Sequence, residues 1–422
     1  MAGYSQLFQA YLAALRTNFT KLAKLEFMNP DGSVAFVLDN QRKNPRAKAF
    51  IQEGTISCNL QNGRRRQADV TLVNLDGEYD FAVNKIWFGQ QIRLSEGLML
   101  PNGTEFYIPQ GLFVIENPEE ALQPNSRTAH YQLADKWANI DGTLGGNLEG
   151  AYQVNAGTNI LQAANALLLL DRFTMQYTGK NFIDALPPLF TNYYNDKFQT
   201  LTDGTQVSLI TAPYDYTSDE TATIADVMLG LAEMIAGWIG YNAAGRLVID
   251  PSQDDILDVS KPILWNFDMS EKQLMGIKYS PKPGEVYNDV IITGATDDLK
   301  KTPRGRSQNR DISSDTCVTR IGLKTIREEM SDYYSDDMCQ AYADWKLKRY
   351  SVLSKEVELT TTQMFHIAEN EIITVRRTDK PGQPAERHLV QGFSRPIGQT
   401  GAMTINAVSV NDFPIATAVD ES

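Results

Sequence analysis

The chain has 422 residues, of which 39 are Lys or Arg and 52 are Asp or Glu, so its formal net charge is −13 with His neutral. At roughly 100–200 residues per domain, this length predicts two to four domains with sizeable hydrophobic cores. Hydrophobic residues make up 42% and charged residues 22%, which excludes a disordered chain. The acidic balance argues against a general nucleic-acid coat, because phosphate binding requires concentrated Lys and Arg.

Residues 1–20 predict an amphipathic helix at the N-terminus. Its apolar side chains recur at offsets of three and four, as one helix face requires: Tyr4, Leu7, Phe8, Tyr11, Leu12 and Leu15. Two roles are open for this face, which are packing against the body of the chain and docking on a partner subunit. No basic segment followed by an apolar stretch precedes it, so we expect no secretory signal.

From residue 21 to about 150 the hydrophobic period changes to two, which indicates β-strands. Turn signals separate the alternating runs at Asn62-Gly63, at Asp76-Gly77 and at Asn102-Gly103. Short strands joined by tight turns, with no helix between them, predict an antiparallel sandwich or barrel over residues 21–150.

Three carboxylates alternate within the second of these turns, at Asp76, Glu78 and Asp80, a spacing that can hold calcium. An EF-hand loop counted from Asp76 requires Gly at its sixth position and Glu at its twelfth, which are here Phe81 and Trp87. We therefore interpret the segment as a turn with solvated acids.

The remainder of the chain is mixed and then again rich in strands. Residues 151–260 predict helical and irregular segments, including a helix that starts at Thr221 or Thr223 and extends to Trp238, followed by a β-hairpin. Residues 261–422 predict a second β-rich domain with one helix at about 335–350. The most apolar window, residues 224–241, carries two acids and falls short of a membrane span.

Two basic spots stand out against the acidic background. Arg64, Arg65 and Arg66 follow the first hairpin turn, and the segment from Lys300 to Arg310, with Arg304 and Arg306, predicts a basic loop. Three interpretations are open: solvated loop charge, charges at a subunit interface or lumen, and contact with nucleic acid or another anionic surface. Neither spot is interleaved with aromatic residues, so stacking on single-stranded bases is not indicated.

Candidate catalytic chemistry is scarce. The sequence has no metalloprotease motif, nucleophile elbow, P-loop or dinucleotide-binding motif. The cysteines are far apart and predict buried small side chains rather than disulfides or a zinc site, and the histidines have no partner at metal-ligand spacing: Cys58, Cys317, Cys339, His130, His366 and His388. We expect no catalytic residue, cofactor or metal, although a glycosidase needs only two carboxylates and stays open as an alternative. The acidic neighbours Glu119-Glu120 and Asp254-Asp255 indicate surface charge.

The order of these features resembles the tail hub proteins of bacteriophages, which form the hubs of baseplates and tail tips. The resemblance spans about residues 20–410 and rests on a strand that ends in an Asn-x-Asp-Gly turn and on the runs that follow it: residues 68–80, 86–90, 92–94, 111–115, 240–248, 287–291 and 339–347. It implies an α+β, β-rich fold with two tube-like antiparallel β-barrel or sandwich domains, an intervening mixed region and a few helices. The first tube-like domain would be residues 21–150.

The resemblance also implies a function. Family members are homotrimers whose paired tube-like domains present a pseudo-sixfold ring to the sixfold tail tube. The expected partners are the tail tube, distal tail, tape-measure and spike or tip proteins, with phage DNA passing through without specific binding. Longer relatives continue into a peptidase or glycan hydrolase, and because this chain stops at Ser422 we expect no appended lysin domain. The expected location is the virion tail, assembled in the cytoplasm of a host bacterium.

Two alternatives come from other classes of virion protein. The 18 Tyr, 17 Phe and 5 Trp residues are compatible with a carbohydrate-binding protein or glycan hydrolase of the tail tip. The sixfold distal tail ring protein is the other alternative, and ring symmetry separates it from a threefold hub.

Overall fold

A computed structural model represents the chain. It describes residues 2–41, 48–83, 86–172, 174–178, 182–190, 198–200, 206–208, 210–212, 214–235, 237–251, 261–281, 283–295, 301–330, 333, 335–351, 355–379, 382, 384–410 and 416–418. Within these residues, no helix is long and apolar enough to cross a membrane.

The first part of the chain consists of one helix followed by strands. In chain order the elements are α1 (Ala2–Ala14), β1 (Lys21–Met28), β2 (Val34–Asp39), β3 (Ala49–Asn59), β4 (Arg66–Asn74), β5 (Gln91–Met99), β6 (Glu105–Gln123) and β7 (Ser126–Asp135). Burial alternates along β4: the residues with even numbers, such as Val70 and Leu72, are buried, and those with odd numbers are exposed or partly exposed. The period of two that predicted these strands is thus confirmed.

The middle part combines two helices with short strands. Its elements are β8 (Gln153–Val154), α2 (Ile160–Leu168), β9 (Leu189–Phe190), β10 (Phe198–Thr200), β11 (Gln206–Ser208), β12 (Tyr216–Thr217), α3 (Ile224–Glu233), β13 (Gly237–Tyr241) and β14 (Leu247–Pro251). Thr223 caps α3 through a reciprocal capping box with Asp226. The helix was predicted to extend to Trp238, which is wrong: α3 ends at Glu233 and Trp238 lies in β13, paired with β14.

The last part is again rich in strands. Its elements are β15 (Ile263–Asp268), β16 (Leu274–Pro281), β17 (Asp289–Gly294), β18 (Arg304–Asn309), α4 (Val318–Ile321), β19 (Thr325–Met330), α5 (Asp336–Tyr350), β20 (Lys355–Thr361), β21 (Ile372–Arg376), β22 (Glu386–Pro396), β23 (Met403–Ser409) and β24 (Ala416–Ala418). Ser335 caps α5, as the predicted helix at about 335–350 requires. The basic loop predicted up to Arg310 is partly wrong, because Arg304–Asn309 is a strand paired with β17.

One large sheet joins the first and last parts. Its strands follow the order β16-β20-β23-β22-β3-β4-β7-β6-β5-β1-β2, with β21 beside β22 and β15 beside β21. The link is the antiparallel pairing of β22 with β3, in which Phe393 lies opposite Cys58. A single hydrophobic core extends across this link and includes buried side chains of both parts, such as Tyr131 and Ile405. The β-rich α+β fold predicted from the sequence is confirmed.

Two smaller units flank this sheet. The middle part has its own core beneath α2 and α3. The chain between β16 and β20 supplies three strands of a four-stranded sheet in the order β19-β17-β18-β24, to which β24 is added from beyond β23. Helix α5 packs on one face of this sheet through Cys339, Ala343 and Leu347. The division into residues 1–20, 21–150, 151–260 and 261–422 stays a prediction, and the shared core crosses it.

Candidate functional site

The residue types that could support catalysis do not form a cluster within the described part of the chain. Among the described residues, no group of three or more His, Cys, Asp or Glu is arranged to hold a metal ion. His130 lies 3.9 Å from Asp69 on the large sheet, and His366 lies against Tyr11. The cysteines are free and buried, as predicted.

A groove beside α2 is the described cavity of greatest interest for a carbohydrate ligand. Its volume is about 620 Å³, and it is lined by Tyr152, Leu161, Gln162, Asn165, Ala166, Leu169, Leu170, Tyr177, Pro187 and Pro188. None of these described lining residues is a carboxylate. The described lining therefore supplies no pair of acids of the kind by which a glycosidase acts.

The predicted turns position strands rather than ligands. Gly63, Gly77 and Gly103 all have positive φ, between +74° and +85°, which favours glycine. At the first turn, the amide of Gly63 donates to the carbonyl of Ile239, and the side chain of Asn62 accepts from the Ile239 amide at 2.9 Å. This turn thus attaches the middle part of the chain to the large sheet.

The Asp76-Gly77 turn and the turn at Asn102-Gly103 are closed by local hydrogen bonds. Asp76 accepts from the Glu78 amide, and Asn102 accepts from the Thr104 amide at 3.0 Å. Asp80, interpreted as a solvated acid, is instead buried and ion-paired with Arg127. That part of the interpretation is wrong because β7 brings Arg127 beside the turn.

The three consecutive arginines have separate environments. Arg64 is partly exposed and forms ion pairs with Glu116 at 2.9 Å and with Asp141 at 3.0 Å. Arg65 and Arg66 are both buried, and Arg66 pairs with Glu369 from the last part of the chain. Burial favours an internal role for these two, and their assignment to a subunit interface or lumen stays a prediction.

Arg304 and Arg306 lie on the face of the small sheet that is turned away from α5. Arg306 donates to Asp289 through two nitrogens, at 2.9 and 3.1 Å. Burial alone would raise the pKa of Asp289, but the hydrogen bonds that it accepts from Arg306, Thr325 and Gln308 outweigh this effect and lower the pKa. Arg304 is exposed. Their interface role also stays a prediction. Lys300, Asp254 and Asp255 lie outside the described residues.

A buried polar cluster lies where the two β-rich parts meet, and the sequence analysis missed it. Arg395 of β22 donates to Glu96 of β5 at 2.9 Å, and both side chains are fully buried. Gln110 accepts a second hydrogen bond from Arg395 and donates to the Phe365 carbonyl. Burial raises the pKa of Glu96, an effect that the adjacent Arg395 opposes. No local motif marks this cluster, since its members are up to 299 residues apart.

Helix α1 packs against the chain's own body. The Tyr11 hydroxyl accepts from the Phe365 amide and is hydrogen-bonded to His366 Nδ1, both at 2.9 Å. Burial lowers the pKa of His366 to about 4, with a contribution from Arg395. Of the two roles left open for this helix, packing on the body is thus the one observed for its Tyr11 face.

The large sheet ends in strands whose outer edges are unpaired among the described residues. Strand β2 pairs with β1, and at the other end β16 pairs with β20 and β15 with β21. Exposed apolar side chains lie along all three, at Val34, Val37, Ile263 and Met275. Such edges are templates for pairing with another chain.

Comparisons with known proteins identify the fold. No protein-family model and no curated protein sequence matches the chain. Among solved structures it is similar to the tail protein from Neisseria meningitidis MC58, with 10% identity, a TM-score of 0.58 and coverage of 92% of this chain and 96% of that one. It is also similar to the 43 kDa tail protein of prophage MuSo2 from Shewanella oneidensis, with 12% identity, a TM-score of 0.56 and coverage of 92% and 98%.

A third similar structure is the prophage tail protein gp18 from Listeria monocytogenes EGD-e, with 7% identity, a TM-score of 0.53 and coverage of 93% of this chain and 95% of that one. All three likenesses extend over nearly the whole of both chains. The chain therefore has the fold of phage tail proteins. This confirms, at the level of the fold, the resemblance to tail hub proteins.

Proposed function

We propose that the chain is a structural virion protein that forms a trimeric hub at the distal end of a phage tail tube. Its role would be to join the sixfold tube to the central spike or tip and to leave a channel for DNA. The observation that carries this proposal is the large sheet, in which two β-rich parts are joined edge to edge through β3 and β22. The whole-length likeness to phage tail proteins supports it.

The joined sheet suits a ring of three copies. Each copy contributes two β-rich parts, so three copies place six such parts around an axis. The pairing of β22 with β3 provides the junction within a copy, and the unpaired edges of β2, β15 and β16 are available for junctions between copies by strand addition. A heterologous contact of this kind closes into a ring when its rotation is a third of a turn.

The proposed partners are the tail tube, distal tail and tape-measure proteins on one side and the spike or tip on the other. DNA would pass without specific binding, because the net charge of −13 repels a polyanion at the ring surface or lumen. The proposed location is the virion tail, after assembly in the host cytoplasm. In this role the protein has no catalytic function.

Native mass spectrometry of the purified chain over a range of concentrations tests the proposal, together with electron microscopy of the assembled particle. We expect a species of three copies of the 47.1 kDa chain and a threefold ring in projection. A sixfold ring would instead select the distal tail ring protein. A chain that stays monomeric at high concentration, both alone and with its tail proteins, would refute the trimer.

A further inference from the structure

An exposed aromatic surface lies at one end of the first β-rich part. We define the aromatic patch as the apolar side chains on the turn after β4, on the segment before β5 and on the β6–β7 hairpin: Leu75, Phe81, Val83, Trp87, Phe88 and Leu122. Trp87 is 56% exposed, and Phe88 and Leu122 are each 68% exposed. Phe88 contacts both Phe81 and Trp87, with ring centroids 4.8 and 5.7 Å apart.

Hydrogen bonds and strand register bring these segments together. The Phe81 amide donates to the Glu120 side chain of β6 at 3.1 Å. Leu122 lies two residues farther along β6 and therefore on the same face as Glu120. Leu75 comes directly after β4. The end of β4 lies beside the β6–β7 hairpin, because Val73 of β4 is paired with Thr128 of β7.

The hairpin that supports this patch extends beyond the sheet. From Ala121 to Ser126 every residue is exposed, and Ala121–Gln123 pair only with the opposite strand of the same hairpin, within the described chain. A two-stranded ribbon with both faces in water is marginally stable. Leu122 lies on this ribbon, and the aromatic residues are joined to it through the bond from Phe81 to Glu120. Exposed aromatic and apolar residues arranged in this way mark a surface that another protein covers.

The charge around the patch restricts what can cover it. Exposed carboxylates of Asp76 and Glu120 lie beside it, with Asp76 3.9 Å from the Lys48 ammonium, while the nearby Arg127 is neutralised by Asp80. An occupant must therefore offer apolar side chains with basic residues around them.

The chain itself carries such a surface beside α4. We define the aliphatic patch as Ile312, Ile321 and Leu323, which are 76%, 43% and 60% exposed. Arg320 extends across it and donates to the Ile312 carbonyl at 3.1 Å. Arg320 is itself ion-paired with the exposed Asp315 at 2.6 Å. Arg310, two residues before Ile312, is an exposed basic side chain.

We propose that the aromatic patch of one copy docks on the aliphatic patch of a second copy. Phe88 and Trp87 would cover Ile312 and Leu323, while Glu120 would pair with Arg310. This inference rests on the proposed trimer and assigns the residues of its contact. Because the two patches are different surfaces, the contact is heterologous, and repeating it closes a ring.

Two substitutions disrupt the two sides separately. Phe88→Asp puts a charge into the aromatic patch, and Ile312→Asp does the same in the aliphatic patch. Each is expected to raise the concentration of half-assembly by about 30-fold or more, which is typical for loss of a central interface residue. Tyr177→Asp is the matched control, because Tyr177 is 69% exposed and belongs to neither patch, and it should assemble like wild type. Circular dichroism and melting temperature verify that each variant is folded.

Mixing the two disrupted variants gives the sharpest readout. Each retains one intact patch, so an equimolar mixture should form a heterodimer and stop there, visible by native mass spectrometry. The reversal Arg310→Glu should weaken assembly, and Glu120→Arg in the same chain should restore part of it. A wild-type trimer that persists in Phe88→Asp would overturn the assigned contact and leave the trimer standing. A monomeric wild type would instead remove the trimer itself, and the assigned contact with it.

Discussion

Replacement of Arg395 by Ala tests whether the buried cluster holds the two β-rich parts together. The guanidinium of Arg395 is fully buried, 2.9 Å from the Glu96 carboxylate, and its Cζ lies 4.7 Å from the centre of the Phe393 ring. The variant would leave Glu96 buried without its main counter-charge. Removing one member of a buried pair costs about 3–5 kcal/mol of unfolding free energy. Lys21 also interacts electrostatically with Glu96 and would remain as a positive charge near it in the variant. We therefore expect a loss near the lower end of this range, about 3 kcal/mol.

Urea denaturation followed by tryptophan fluorescence measures this loss, since Trp265 lies in the shared core. The double variant Arg395→Met with Glu96→Leu removes both charges, so no buried charge of this pair is left without its partner. It should recover most of the unfolding free energy that Arg395→Ala loses. Lys301→Ala is the control at an exposed pair, because Lys301 and its partner Asp336 are 71% and 54% exposed, and it should cost about 0–1 kcal/mol. A loss below about 1 kcal/mol in Arg395→Ala, or a double variant as unstable as the single one, would refute the reasoning.

Three further variants test other contacts. Burial lowers the pKa of His366 to about 4, so between pH 6.5 and pH 4 the unfolded chain binds more protons than the folded chain, and the free energy of unfolding decreases as the pH is lowered. His366→Gln should remove about 3 kcal/mol of this decrease, which urea midpoints measured at both pH values would show. Gly63→Ala should lower the melting temperature more than Gly103→Ala. Both glycines have positive φ, but a Cβ at Gly63 would lie 3.2 Å from the Trp137 side chain, whereas a Cβ at Gly103 would contact nothing. Equal decreases in melting temperature would exclude a role for the close contact between Gly63 and Trp137. Tyr11→Phe leaves the buried Phe365 amide without its acceptor and should cost about 1–3 kcal/mol in urea denaturation, whereas no change would mean that α1 docks by packing alone.

Sequence signals were sufficient where structure is decided locally. The Asn62-Gly63 turn, the alternation along β4 and the cap at Ser335 each depend on residues close together in the chain, and all occur as predicted. The end of α3 was mistaken because the apolar period of three to four continues past Glu233, while pairing with β14 draws Trp238 into a strand. Tertiary pairing here overrides a continuous local pattern.

The strand at Arg304–Asn309 shows a second limit. Its sequence, Arg-Gly-Arg-Ser-Gln-Asn, has no β-branched or aromatic residue and predicts a loop. It is a strand because β17 pairs along it and because Gly305 allows α5 to pack closely, with a Cβ there only 2.3 Å from the Cys339 backbone. Neither cause can be found in the segment itself.

The candidate site was the least predictable feature, since it depends on pairs of distant residues. Arg66 and Glu369 are 303 positions apart, and nothing in either neighbourhood identifies the other as its partner. The same holds for the aromatic patch, whose members come from three segments that are adjacent only after β4, β6 and β7 have paired.

The burial of arginines also changes how the net charge of −13 is understood. Arg66 and Arg395 are enclosed in the shared core with their carboxylate partners, so each buried pair contributes no net charge to the surface. The acidic excess therefore lies outside these two pairs. A ring built from such chains needs local exceptions to this excess, because like charges repel across a contact. Arg310 beside Ile312, opposite Glu120 on the next copy, supplies that exception in the proposed assembly.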